Sequence, residues 1–268
     1  MLNDQAFLRY SRQLLLDEVG SVGQKRLQAA TVLLAGLGGL GSPAALYLAA
    51  AGVGMLLLAD DDKLHITNLQ RQILYRTDEL GRLKAKVAQC HLSAINPDGH
   101  YISLPRRLEG AWLDEQVARA DLVLDCSDNM ATRHDINAAC VRHRKPLISA
   151  SAVGFSGQML VLLPPWRYGC YACLFPSREE VQRNCRTAGV LGPVVGMMGT
   201  LQALEAIKLL CGLQPEDGLL RLFDGKFLQW RTLRLSRDNH CHICAQGTEN
   251  ASKTTKPEGA TKKRRPPQ

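Results

Sequence analysis

What this chain of 268 residues lacks removes several classes of explanation. The opening Met1-Leu-Asn-Asp4 has no basic-then-apolar order of a secretory leader, so the chain is expected in the cytoplasm. A strong excess of either charge is missing from the body. The formal net charge is +8, and residues 246–268 supply half of it, with six basic residues against two acidic ones. The body gives no argument for nucleic acid, although a nucleic-acid arm is one reading of that end. With nothing to build a core, 246–268 reads better as a solvated, disordered tail. Residues 31–59 carry no charge at all, yet six glycines and Pro43 interrupt them, which argues against a membrane span. No internal repeat is visible, which leaves repeat architectures aside. Aromatic residues are few, at 5%, and glycines are many, at 23, as expected where tight turns are frequent.

What remains is an ordinary globular composition, 46% hydrophobic and 22% charged, long enough for one large α/β domain. Residues 2–30 read as one or two amphipathic helices broken near Gly20 and Gly23. Thr31-Val-Leu-Leu-Ala35 is a continuous apolar run of the kind buried on both faces of a parallel sheet. A glycine turn, a helix to about Ala51 and a second apolar run at 55–59 complete a βαβ unit. Further on, 83–94 and 132–144 read as helices, and 121–125 and 146–150 as strands. After Gly154 the runs at 158–163 and 219–235 suit antiparallel strands, flanking an apolar helix at 194–210 that begins just after Pro193. The expected fold is a doubly wound, mostly parallel Rossmann-like α/β sheet continued by antiparallel strands, forming one domain over 1–245.

Gly36-Leu-Gly38-Gly39-Leu-Gly41 fits G-x-G-x-x-G between a strand and a helix. Glycines there let phosphate approach the main chain, and the helix N-terminus adds a favourable dipole. Asp60 ends the second strand, where a carboxylate can accept hydrogen bonds from ribose hydroxyls. Taken alone, the motif favours NAD or FAD over ATP. The charges tilt the balance. Asp60-Asp61-Asp62, Asn68-Leu-Gln-Arg71-Gln72, Lys84 and Asp128-Asn129 all belong at the carboxyl edge of the sheet. Hydride transfer between neutral rings does not need so many charges, whereas attack on an α-phosphate does. Arg71 and Lys84 suit phosphate oxygens, and Asp128 suits Mg²⁺ or a bound water.

Two C-x-x-C pairs, Cys170-Tyr-Ala-Cys173 and Cys241-His-Ile-Cys244, can present four thiolates to one tetrahedral ion. Zn²⁺ fits, in a closed structural site that ties the end of the chain to its body. A redox pair and an iron–sulfur cluster are the other readings, and His240 and His242 read as bystanders. Nine cysteines without an export signal agree with a reducing compartment. Cys185, between Arg183 and Arg186, sits where positive charge raises the thiolate fraction, so it reads either as a nucleophile or as a free surface thiol. Cys90, Cys126, Cys140 and Cys211 read as core fillers.

In order along the chain, Arg9-Tyr-Ser-Arg12-Gln13, the glycine turn, Asn68-Leu-Gln-Arg-Gln72, Leu124-Asp-Cys-Ser-Asp128-Asn129 and Thr200-Leu-Gln-Ala-Leu-Glu-Ala-Ile-Lys208 resemble the ThiF/MoeB/ubiquitin-activating superfamily. The resemblance runs from about Asp4 to Cys244. It implies ATP, Mg²⁺, a homodimer and a sulfur-carrier protein ending in Gly-Gly whose carboxylate is adenylylated. It implies nucleotide or metal contacts for Gly39, Gly41, Asp60, Asn68, Arg71, Lys84, Asp128 and Asn129, with Asp62 sharing the role of Asp60. It also implies that Arg12 enters the neighbouring subunit's ATP site, supports zinc at the four cysteines, and links Cys185 to the carrier. Leu83 stands where many relatives have proline.

Met130-Ala-Thr-Arg133, Ser149-Ala-Ser-Ala-Val-Gly154-Phe and Arg183-Asn-Cys-Arg-Thr-Ala-Gly189 resemble the ThiF branch more than the MoeB branch. That implies a ThiS-like carrier and thiamine thiazole synthesis. A MoeB-type role, an NAD(P) oxidoreductase and a catalytically silent binding module are the alternatives. No sulfurtransferase domain follows Cys244, so a separate sulfur-donor protein is expected.

Overall fold

The computed structural model describes residues 2–179 and 188–245. Cys185 and the segment 246–268 lie outside them. Eight strands form one sheet: β1 (Thr31–Ala35), β2 (Met55–Ala59), β3 (His100–Leu104), β4 (Leu122–Asp125), β5 (Leu147–Val153), β6 (Ser156–Leu162), β7 (Leu219–Asp224) and β8 (Gln229–Arg234). Their order is β3-β2-β1-β4-β5-β6-β7-β8. The first five strands pair parallel, and from β5 onward every pairing is antiparallel.

Strand side chains alternate between two hydrophobic cores, as the twofold period of a strand requires. Val32, Leu34, Leu56, Leu58, Leu122 and Leu124 face one core, and Leu33, Ala35, Leu57, Ala59 and Val123 the other. The first core is covered by α3 (Gly20–Ala29), α4 (Gly41–Ala51), α5 (Lys84–Ile95) and α9 (Gly192–Cys211). The second is covered by α6 (Gly110–Arg119), α7 (Met130–His143) and α8 (Tyr171–Leu174). Helices on both faces explain why β1, β2 and β4 are almost wholly apolar, with Asp125 at the carboxyl end of β4 the one charged residue among them.

The uncharged stretch 31–59 resolves into strand, turn, helix and strand, as read. Among the described residues one helix, α9, has the length and apolarity to cross a membrane. It packs instead against α4, β5 and β6, and its Pro193 stands in the first turn, where a missing amide hydrogen costs nothing.

Some expectations need correction. Residues 2–30 form three helices, α1 (Asp4–Arg9), α2 (Ser11–Leu14) and α3. Gly20 opens α3 at a positive φ of 50°, but Gly23 lies inside it, where an added Cβ would come within 3.2 Å of Cys211 Sγ. It is a packing glycine, not a break. Cys90 is exposed. The buried face of α5 carries Ala85, Ala88 and Leu92, and position 90 points away from that stripe. Both β3 and α6 went unrecognised in the sequence.

Candidate active site and four-cysteine cluster

The carboxyl ends of the parallel strands open into a cavity of about 1050 Å³. Its floor is the glycine turn. Gly36 takes a φ of +99°, which favours glycine, and a Cβ on Gly41 would lie 2.0 Å from the Gly36 carbonyl oxygen. The turn is clamped from below at Leu37. Its N–H donates to Asp60 Oδ2 at 2.8 Å, and its carbonyl accepts from the Tyr75 hydroxyl at 2.9 Å and from Ser42 Oγ at 3.2 Å. Burial pushes the Tyr75 hydroxyl well above its usual pKa, which keeps it a donor. No side chain caps the first amides of α4, which begins at Gly41. The Ser42 N–H is taken by the Gly38 carbonyl at 2.9 Å and Pro43 has none, so what this helix end offers a phosphate group is its dipole, behind a glycine turn that lets the group come close.

Along one wall, Asp60 accepts from the Asp62 N–H at 2.9 Å as well as from Leu37. Burial raises the Asp60 carboxyl, and the Lys84 ammonium opposes that rise. Lys84, the first residue of α5, donates from Nζ to Asp62 Oδ2 at 2.8 Å. Asn68 accepts the His65 N–H at 3.0 Å, and Arg71 Nη1 donates to the Thr67 carbonyl at 3.0 Å. Across the cavity, Asn129 accepts the Thr132 N–H at 2.9 Å and caps α7, which holds Asp128 at the rim. The structure therefore brings Gly39, Asp60, Asp62, Asn68, Arg71, Lys84, Asp128 and Asn129 to one cavity. Gly41, at the start of α4, adjoins it through Gly36.

Arg12 is the exception. It is exposed on α2 and does not line its own chain's cavity. The segment around it presents Phe7, Leu8, Leu15 and Leu16 to solvent. Its neighbours hold the segment in place: Tyr10 is buried, with its hydroxyl accepting from Asn96 Nδ2 at 2.8 Å, and Gln13 donates to the Ala51 carbonyl at 2.8 Å.

Several cavity residues were given no role of their own from the sequence. Gln72, placed at the carboxyl edge as part of its motif, is 3% exposed and its Oε1 has no hydrogen-bond partner. Such a buried acceptor, in a cavity wall, is suited to a ligand's donor. Arg106 and Arg107 reach the cavity from the segment after β3, and Arg133 lies beneath its wall. The position of Arg106 and Arg107 depends on β3, which the sequence reading did not find.

The four cysteines of the two C-x-x-C pairs come together as expected. Their sulfurs all lie within 4.8 Å of one another, with Cys170 to Cys241 at 3.8 Å and Cys173 to Cys244 at 3.5 Å. A hydrogen bond from Cys244 draws the Cys170 thiol below its usual pKa, with further help from Asn137 Nδ2 at 3.4 Å. The cluster meets the needs of a tetrahedral ion: four soft donors, largely buried, with outer hydrogen bonds orienting them. Neither His240 nor His242 belongs to it.

A twisted α/β sheet with a phosphate turn, a cation-lined cavity at its carboxyl edge and a four-thiol cluster defines a nucleotide-binding protein with a candidate structural metal site. A family model described as the ThiF family matches residues 10–243, and the chain belongs to that family. It is 60% identical over 250 residues to the Sulfur carrier protein ThiS adenylyltransferase of Escherichia coli (strain K12), covering 93% of this chain and 99% of that one. It is 41% identical over 246 residues to the Molybdopterin-synthase adenylyltransferase of the same strain, covering 91% and 99%. Among solved structures, E. coli MccB with ATP aligns with a TM-score of 0.75 at 23% identity, covering 88% of this chain and 73% of that one. At that identity the likeness speaks for the fold alone.

Proposed function

We propose that this chain uses ATP to adenylylate the C-terminal Gly-Gly carboxylate of a ThiS-like sulfur-carrier protein, a step towards its thiocarboxylate in thiamine thiazole synthesis. The observation that carries the proposal is the 60% identity, over nearly the whole of both chains, to a ThiS adenylyltransferase. The cavity agrees chemically. Its glycine turn and uncapped helix end suit the phosphates, and Asp60 and Asn68 suit the ribose.

In this reading a carboxylate oxygen of the carrier attacks the α-phosphorus. The bond from that phosphorus to the bridging oxygen of the β-phosphate breaks, and pyrophosphate leaves with that electron pair. No enzyme nucleophile is required. Arg71 and Lys84 neutralise the charge that builds on the phosphate oxygens, fixed in place before the reaction begins. Arg12 supplies a third cation from a second copy of the chain, which accounts for an exposed arginine on a firmly anchored segment amid apolar surface. Asp128 offers hard oxygen donors for Mg²⁺, which when bound would shield the triphosphate charge. The four cysteines hold Zn²⁺ as a structural tie. Cys185 participates after adenylylation, when a separate donor protein delivers sulfur. The setting is the cytoplasm.

Carrier-dependent ATP–pyrophosphate exchange tests the proposal, with ThiS and the molybdopterin-synthase carrier assayed side by side. Faster exchange with ThiS is expected. Equal or faster exchange with the other carrier moves the chain to the MoeB-type role, and no exchange with either rejects adenylylation.

A further inference from the structure

One guanidinium ties together the last parallel pair of strands, β4 and β5, and the turn that follows β4. Arg133, in the first turns of α7, has a side chain 6% exposed. Its Nη1 donates to Asp125 Oδ2 at 3.0 Å, Ser149 Oγ at 3.1 Å and the Ala150 carbonyl at 2.9 Å, and its Nη2 donates to the Ser127 carbonyl. The two hydroxyls complete the ring, Ser149 donating to Asp125 Oδ2 and Ser127 to Asp125 Oδ1, each at 2.6 Å. From α9, Gln202 Nε2 donates to the carbonyls of Asp125 at 2.9 Å and Ile148 at 3.0 Å.

These acceptors belong to three pieces of chain: the end of β4, the middle of β5, and the turn at 126–129. That turn carries Asp128 and Asn129 into the cavity. A planar fork can serve all three pieces at once, whereas a single ammonium cannot span them. Asp125 is 1% exposed and uses both oxygens within the network. The cluster therefore has a structural anchor but no group poised to react.

We propose that Arg133 is a positioning residue of the adenylylation site: it fixes the peptide joining Ser127 to Asp128 against β5, and so sets where the Asp128 carboxylate meets the metal-bound nucleotide. This rests on the adenylylation reading of the same cavity. Arg133 itself does not touch the reacting atoms. It acts through Asp128, and misplacement of a charged group by even 1 Å costs a large factor in rate or binding.

The test uses the full-length chain and four variants: Arg133→Lys, Ser149→Ala, Asp128→Ala, and Arg133→Lys combined with Asp128→Ala. Three measurements apply: melting temperature, binding of ATP with Mg²⁺ by equilibrium dialysis without carrier, and ATP–pyrophosphate exchange with ThiS. Arg133→Lys is expected to raise the half-saturating ATP concentration about tenfold or more. The half-saturating carrier concentration should stay within about twofold. Ser149→Ala should shift the ATP value in the same direction by less. In the Asp128→Ala background, Arg133→Lys should add less than about twofold, because both changes act through one carboxylate.

Independent, multiplying losses in the double variant overturn the proposal. So does an unchanged ATP half-saturation accompanied only by a smaller folded fraction. Ser149→Ala keeps the ion pair, so it decides the matter should the lysine variant fail to fold: an unaltered ATP value there also overturns the proposal. A wild-type chain that binds no ATP in dialysis would instead sink the adenylylation reading, a result distinguishable from every outcome above.

Discussion

Replacing Lys84 by methionine separates what this residue does for the fold from what it does for the reaction. The Lys84 side chain is 5% exposed, but Asp62, which it holds at 2.8 Å, is 66% exposed. When the ammonium is removed, the Asp62 carboxylate keeps its water. Loss of the pair therefore costs the fold about 1 kcal/mol or less, and methionine refills the space of the lysine stem. In a chain of this size that is a melting shift of roughly 2–4 °C. The reaction loses much more. A preorganised donor aimed at developing charge contributes about 3–4 kcal/mol, so exchange should fall by about 10²–10³-fold.

The variant also has a signature in pH. Burial raises the Asp60 carboxyl above 3.8, and Lys84 is the largest opposing influence. A carboxyl raised in the folded state contributes stability that is complete below its unfolded value and is lost as pH rises through the folded value. Acidification therefore does not loosen the fold through this group. It does weaken Asp60 as the acceptor for the Leu37 N–H and a ribose. The acid limb of ATP affinity should lie above 3.8 and move further up in Lys84→Met. Parallel melting curves and exchange assays across acidic pH provide the check. Exchange above about one tenth of wild type, or a melting loss beyond about 10 °C, would refute the separation of roles.

Other perturbations follow from the same geometry. Gly41→Ala drives a Cβ to within 2.0 Å of the Gly36 carbonyl, backbone against backbone, so it should cost about 3 kcal/mol and abolish ATP binding; a calorimetric titration with normal affinity would contradict the cradle. Cys244→Ser should lose bound zinc, measured by elemental analysis, and lower the melting temperature; retention of one zinc per chain would remove Cys244 from the site. Arg12→Ala and Arg71→Ala, each inactive alone, should regain roughly a quarter of wild-type sites when subunits are mixed at random, because one site of each mixed dimer is intact. No recovery in subunit-exchanged samples would place Arg12 outside the partner's site. Cys185→Ser should leave exchange unchanged while impairing thiocarboxylate formation, read by mass spectrometry of the carrier; equal thiocarboxylate yield would make Cys185 a bystander.

The legible parts of the sequence were those with one dominant local cause. Residues 31–35 and 55–59 read directly as strands because both faces of β1 and β2 are covered, which leaves no charged residue in either and no polar one beyond Thr31 at the start of β1. The glycine turn was legible because its constraint is steric: no other side chain fits at Gly41. The two C-x-x-C pairs announced a common ligand, and the fold brings their four sulfurs together. In contrast β3 was missed because it is the edge strand of the sheet. Its alternation of exposed and buried residues, His100, Tyr101, Ile102, Ser103 and Leu104, leaves no apolar run. The helix α6 was overlooked with it, although Leu113 and Val117 have the spacing of a buried helical face. Among the cysteines, Cys90 misled because it lies in a helix that carries a buried apolar stripe, while burial on α5 follows the helical period and leaves position 90 outside that stripe. Arg133 illustrates a deeper limit. Its partners come from positions 125, 127, 149 and 150, and nothing in a single sequence reveals that the sheet gathers them around one guanidinium.

Two ion pairs border the cavity, and their surroundings assign them different tasks. Lys84 pairs with a carboxylate that water can reach, so Asp62 can give up the ammonium to an arriving phosphate at little cost. Arg133 pairs with Asp125, a carboxylate almost sealed from water, and releasing it would strand a buried charge at a cost of about 3–5 kcal/mol. The first pair is exchangeable and the second is fixed. A site that must grip a triphosphate and then release pyrophosphate needs both kinds: a fixed ammonium whose carboxylate partner can yield to the substrate, and a sealed pair where the catalytic turn must not move. Ionic strength distinguishes them. Raising salt should weaken ATP binding by screening the attraction of Lys84 and Arg71 for the phosphates, while the melting temperature, which depends on the sealed pair, should hardly move. A melting temperature that fell in step with ATP affinity as salt rose would show that the two pairs are not independent, and the division of labour drawn from their exposure would be wrong.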